Sequence, residues 1–132
     1  MAWTVTTMQA PNTTTSRKEP WTVSFAGDDV TACEEIVAAI AGKCHYVQRI
    51  ALQYDGTGQT TLGAGDNGAG AVAAPLLGPI PSTRQITAVG MSNAIPFVYE
   101  FLNPPKVPVN TSITVDATAV GNIWGVIDGY TI

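Results

Sequence analysis

The sequence predicts an all-β domain, an antiparallel sandwich or barrel, and three observations lead there. Several segments alternate apolar and polar residues with a period of two, the mark of strands buried on one face. Between them lie runs dense in glycine and proline, "YDGTGQ", "GAGDNGAG", "GPIPST" and "NPPKVPVN", which turn the chain. Charged residues make up only 12% of the 132, against about 25% in an ordinary soluble domain. Thr, Gly, Ala, Asn and Pro take their place, a profile that suits a β-rich domain covering much of its surface with partners.

The elements follow in order. Residues 1–20 hold Trp3, Val5 and Met8 as their only bulky apolar groups before Trp21. Such a segment cannot bury enough apolar surface to fold alone. It is expected to be an extended arm, ordered by what it touches, with residues 21–132 forming the domain. "WTVSF" then sets Trp21, Val23 and Phe25 on one face and Thr22 and Ser24 on the other. Trp21 suits the core or a partner contact equally; Trp3, in the arm, is expected to anchor on a partner. In "DDVTACEEIVAAIAGK", Thr31 and Glu34 form a capping box and Gly42 stands where a helix would stop. Local rules therefore favour a helix, while the surrounding strands favour a strand.

"HYVQRIALQY" groups Tyr46, Ile50, Leu52 and Tyr54, leaving His45, Arg49 and Gln53 opposite. "IPFVYEFL" groups Ile95, Phe97, Tyr99 and Phe101 on one face of what reads as a central strand. "TSITVDAT" sets Ile113, Val115 and Ala117 against Ser112, Thr114 and Asp116. The chain closes on "ITVDATAVGNIWGVIDGYTI", read as two strands around a Val-Gly-Asn turn. In the second, Trp124, Val126, Tyr130 and Ile132 share one side, broken only by Asp128. Ile123, Gly125, Ile127 and Gly129 share the other. A strand apolar on both sides is covered on both sides, by the core on one and by another subunit on the other. Its glycines either make room for a neighbour or mark a bulge.

Composition excludes several classes of function. At 132 residues one domain with a proper core is expected. A net charge of −4 argues against nucleic acid, whose phosphates require a basic stripe. No apolar run is long enough to cross a membrane as a helix, and the N-terminus lacks the basic start and apolar core of a signal peptide. Cys33 and Cys44 are expected to be reduced thiols, and without CxxC or HxxxH spacing no metal site is expected around His45. Asp28-Asp29 and Glu34-Glu35 are sequence neighbours that point to opposite strand faces, so neither makes an acid–base pair. The same divergence separates Cys44 from His45, which is expected to face solvent. "GAGDNGAG" lacks the Lys-Ser/Thr ending of a phosphate loop, and Asp66 with Asn67 offers two oxygens where calcium takes about six. No cofactor is expected, and no enzymatic activity.

The order "IVAAIAGKCHYVQRIALQYDG", "LLGPIPST", "FVYEFLNPPKVPVNTSITVDAT" and "GNIWGVIDGYTI" resembles the small jelly-roll proteins of tailed-phage virions. These are the tumour-necrosis-factor-like sandwiches used as head decoration, or cement, proteins. The resemblance covers about residues 30–132 and lies in turns and strands rather than in a catalytic signature. It implies an antiparallel jelly roll and makes residues 31–41 a strand. Its functional implication is a virion protein that binds the outside of a phage head as a homotrimer and stabilises the shell. The arm residues Trp3, Val5, Arg17 and Lys18 would then contact the major capsid protein. Trp124, Val126, Tyr130 and Ile132 would lie at the subunit interface, with no nucleic acid or membrane as partner. Jelly rolls also serve as carbohydrate- or receptor-binding modules of tail fibres, so fold alone does not decide. That alternative needs exposed aromatic platforms, for which Tyr54, Tyr99, Trp124 and Tyr130 are candidates. The Thr-rich arm favours the shell-binding reading, since a sugar-binding module has no need of it.

Overall fold

Two long strands organise the molecule. The computed structural model describes residues 2–86, 92–94 and 96–132. Among the described residues nine strands follow one another: β1 (Ala2–Gln9), β2 (Glu19–Val37), β3 (His45–Tyr54), β4 (Gln59–Asp66), β5 (Val72–Pro81), β6 (Arg84–Ile86), β7 (Ser92–Ala94), β8 (Phe97–Glu100) and β9 (Ile113–Thr131). All pair antiparallel, and no helix occurs among the described residues. The expected all-β class holds, in a seven-stranded sheet with β6 and β7 forming a separate hairpin.

β2 and β9, 19 residues each, pair along most of their length. The ladder is regular from Glu19–Thr131 to Gly27–Ile123, breaks around Val30, and resumes from Ala32–Ala117 to Val37–Ile113. Asp29 and Ala32 take left-handed conformations at the break, as bulges demand. The ribbon thereby feeds two lobes. One runs β1-β2-β9-β3-β8; in the other, β4 pairs with the first half of β9 and then with β5. The lobes close over one core, a sandwich-like arrangement in which Trp21, Val23 and Phe25 meet Ile36, Leu62, Ile113 and Ile127.

The glycines of β9 show how tightly this core is filled. Phe25 stands directly opposite Gly125, and Trp21 opposite Gly129. A Cβ on Gly125 would run into the tip of the Phe25 ring and fall 2.8 Å from the Ala51 carbonyl oxygen. One on Gly129 would run into the Tyr46 carbonyl of the neighbouring strand and fall 2.7 Å from the Trp21 ring. The glycines make room for the aromatic rings lying across the strand. Each such ring buries about 150–250 Å².

Several expectations are corrected. The capping box of residues 31–34 forms no helix, because β2 continues through it as a strand. Thr31 Oγ1 donates instead to the Ala117 carbonyl at 3.1 Å, so cross-strand pairing overrides local propensity. A register shift between Val47 and Arg49 turns His45 and Val47 into the core and Tyr46 outward, reversing the expected assignment. Thr114 and Asp116 are buried along with Ile113 and Val115, since this half of β9 is covered on both faces. β8 is an edge strand rather than a central one, and its Tyr99 is 42% exposed. Phe97 and Phe101 are half-buried against the core, while Ile95 lies outside the described residues. β9 is one strand, running through Val120-Gly121-Asn122 without a turn.

Candidate functional site

The outward face of the five-strand lobe is the most distinctive surface of the molecule. Its rows follow from register. Thr4, Ala26, Trp124 and Gln53 form one row; Thr6, Ser24, Val126, Ala51 and Val98 form the next. Thr22, Asp128, Arg49 and Glu100 form the third, the only one of the three with charges. None of these residues is fully buried, and Trp124 is 48% and Val98 54% exposed. Small side chains dominate, so the surface is flat, with Trp124 rising from it.

One end of the face is built from aromatic rings. Tyr130 stacks on Tyr46 at 4.8 Å between centroids, and the Lys18 ammonium lies 4.6 Å from the Tyr130 ring centre, a cation–π contact. Ile132, 41% exposed, is fixed by paired backbone bonds with Cys44 at 2.9 and 3.0 Å. Of the four residues expected at a subunit interface, Trp124, Val126 and Tyr130 therefore fall on the outward side of β9, and Ile132 follows directly after its last residue. Asp128 sits among them, opposite Arg49. Burial raises its carboxyl above the usual range, the Arg49 charge lowers it, and Glu100 raises it further.

The arm residues are placed differently from one another. Residues 2–9 are extended, and what they lie against is β2 of their own chain. Trp3 packs half-buried against the core, which departs from its expected role as a partner anchor. Val5 is 37% exposed. Arg17 is exposed in the loop after β1, which Lys43 ties down by donating from Nζ to the Thr15 carbonyl at 2.6 Å. Lys18 is engaged with Tyr130. Trp21, left open between core and contact, is core, 1% exposed.

The groups weighed for chemistry are occupied by structure. His45, expected at the surface, is 1% exposed. Its Nε2–H donates to the Ala38 carbonyl at 2.8 Å, which leaves Nδ1 to accept from Thr131 Oγ1 at 2.7 Å. Neither nitrogen is left to serve Cys44 as a base. Cys33 and Cys44 are free thiols. The Cys33 thiol is pushed up to about 11, chiefly by burial and further by the Asp66, Asp116 and Glu34 carboxylates, against a lowering bond from Thr114. Asp66 and Asn67 accept from Gly68, Ala69 and Ala71 N–H groups, closing their own turn. Among the described residues no group of three or more His, Cys, Asp or Glu is placed to hold a metal ion.

A cleft of about 150 Å³ lies beside Trp124, lined by Gln53, Asp55 and Asn122 among others. Its polar groups mostly serve each other. Asp55 takes the Asn122 backbone N–H at 2.7 Å and its side-chain amide at 3.2 Å, and Asn122 Oδ1 takes the Asp29 N–H at 3.0 Å. Sequence reasoning missed Tyr46, Ala51 and Ala26 as members of the face. The first was hidden by the bulge; the other two looked like filler. No protein-family model matches the chain, and no curated protein matches it in sequence.

Proposed function

We propose that this is a non-enzymatic structural protein of a tailed-phage virion. In this reading it is a decoration or cement protein of jelly-roll type, bound to the outside of the head as a homotrimer and stabilising the shell. The observation that carries it is the outward face of the five-strand lobe. A monomer seldom leaves Trp124 and Val98 open, with Val126 half-buried between them, on a flat surface of small residues, whereas an assembly interface is depleted in charge at its centre and enriched in aromatics. Trp124, Val126, Tyr130 and Ile132 form the subunit contact. Arg17 and the loop after β1 reach toward the major capsid protein. Each shell contact is weak, and threefold repetition adds them as avidity.

Light scattering tests this reading. The wild-type chain is expected at three times its monomer mass, and Trp124→Glu at one. A wild-type monomer at all concentrations would contradict it. The exposure of Trp124 beside its cleft favours a second reading, a carbohydrate- or receptor-binding module of a tail fibre. It is the weaker, because Asp55 and Asn122 spend their polar atoms on each other. Tryptophan fluorescence that responds saturably to added sugars, and loses the response in Trp124→Ala, would favour it.

A further inference from the structure

Among the described residues the sheet leaves four free edges, β1, β5, β8 and the second half of β2, and they are not treated alike; the last carries Glu34 and Glu35. The free edge of β5 carries Pro75, Pro79 and Pro81, which cannot donate to a ladder. β8 is four residues long and ends on Glu100. Short length, proline and charge are the usual protections of a sheet edge. β1 has none of them. Its eight residues include no proline and no charge, and beyond β2 it has no strand partner among the described residues.

We propose that the free edge of β1 pairs antiparallel with β1 of a second copy of this chain, across a twofold axis centred on Val5. The strand's own pattern supports the register. Its pairing with β2 is unbroken from Ala2 to Thr7 and shifts between Thr7 and Gln9, so a twofold on Val5 keeps all five paired residues, Trp3–Thr7, inside the regular run. Symmetry then sets Val5 against Val5, Thr4 against Thr6 and Trp3 against Thr7. β-Branched and Thr–Thr pairs of this kind are favourable across strands. The chain carries a net charge of −4, but β1 has no charged residue, so no like charges meet across the pair.

A groove supplies the apolar part of the contact. It lies at the Thr7 end of β1, about 160 Å³, walled by Thr7, Trp21, Val23, Ile36, Val37 and Ile40. The Trp21 indole N–H has no acceptor among the described residues. The pairing brings the second copy's Trp3 opposite Thr7, at the groove's mouth. One short ribbon makes a small interface, and small interfaces are transient in solution. The inference rests on the assembly reading for its use: threefold units on a shell would be tied to their neighbours through twofold strand pairs, each weak and all acting together.

Sedimentation across a range of concentrations tests it on the full chain. The mass is expected to rise from its base unit with concentration, the first step being a doubling. Thr6→Lys, at an exposed position, should abolish the doubling without changing the melting temperature, while Val109→Lys, at an exposed position away from β1 and the outward face, should leave it intact. In a background with Cys33→Ser and Cys44→Ser, Val5→Cys should cross-link between copies under mild oxidation more readily than Thr6→Cys. A constant mass, doubling that survives Thr6→Lys, or stronger cross-linking at Thr6→Cys would overturn the proposal. The base unit reports separately on the trimer, since a monomer that doubles to a dimer would contradict the functional reading and leave the strand pairing standing.

Discussion

Gly125 and Phe25 meet where the core has least room, and their two substitutions should fail in opposite ways. Gly125→Ala pushes a methyl group at the Ala51 carbonyl, which is backbone and cannot step aside; overpacking of this kind costs about 1–3 kcal/mol. Phe25→Ala leaves a hole under β9 and should cost about 3–5 kcal/mol. Phe101→Ala, at a half-buried position, should cost clearly less than Phe25→Ala. Denaturant melts of the three variants check this order. His45 adds a dependence on pH. Burial lowers its pKa in the folded chain, against about 6.5 when unfolded, so between those two values the unfolded chain binds the extra proton. Stability is complete above about 6.5 and falls as pH drops through that window, by at most about 1.4 kcal/mol per pH unit. His45→Gln should flatten that part of the stability profile; an unchanged slope would mean another group titrates there.

At the scale of elements, what alternates cleanly was legible and what depends on pairing was not. "WTVSF" names its buried face without help, and the glycines of "GVIDGY" announce a close approach that the Phe25 and Trp21 rings fulfil. The face of His45 and Tyr46 was unreadable, because one extra residue between Val47 and Arg49 reverses every side chain before it. The capping box at Thr31 is a real local signal, outweighed by a ladder to β9 that sequence does not display. β1 was the hardest element: a threonine-rich strand reads as unstructured until its partner is known. The outward face shared this difficulty, since Ala26, Ser24 and Ala51 become a surface only when three strands are set side by side. A chain starting at Glu19 tests the element directly. A free arm would leave the melting temperature unchanged. Because Trp3 packs on the core and β1 pairs with β2, we expect it to fall, and an unchanged melt would show that β1 contributes nothing to the fold.

At the scale of the whole molecule, the chain has one well-filled core, a wide face with its charges confined to one row, and an unprotected edge. The core explains why the fold holds as a single unit; the face and the edge point outward to assembly. Asp128 and Arg49 mark the charged row of that face, so Trp124→Glu, which adds a carboxylate to an uncharged row, should disperse the proposed trimer while leaving the melt of the single chain nearly unchanged. The proposed attachment to a phage head makes the strongest claim on what lies outside the chain, and stoichiometry decides it. Quantitative mass spectrometry of purified particles from a phage that encodes this chain should find it in copy number comparable to the major capsid protein. A handful of copies per particle would place it at a tail tip, and its absence from particles would contradict the account.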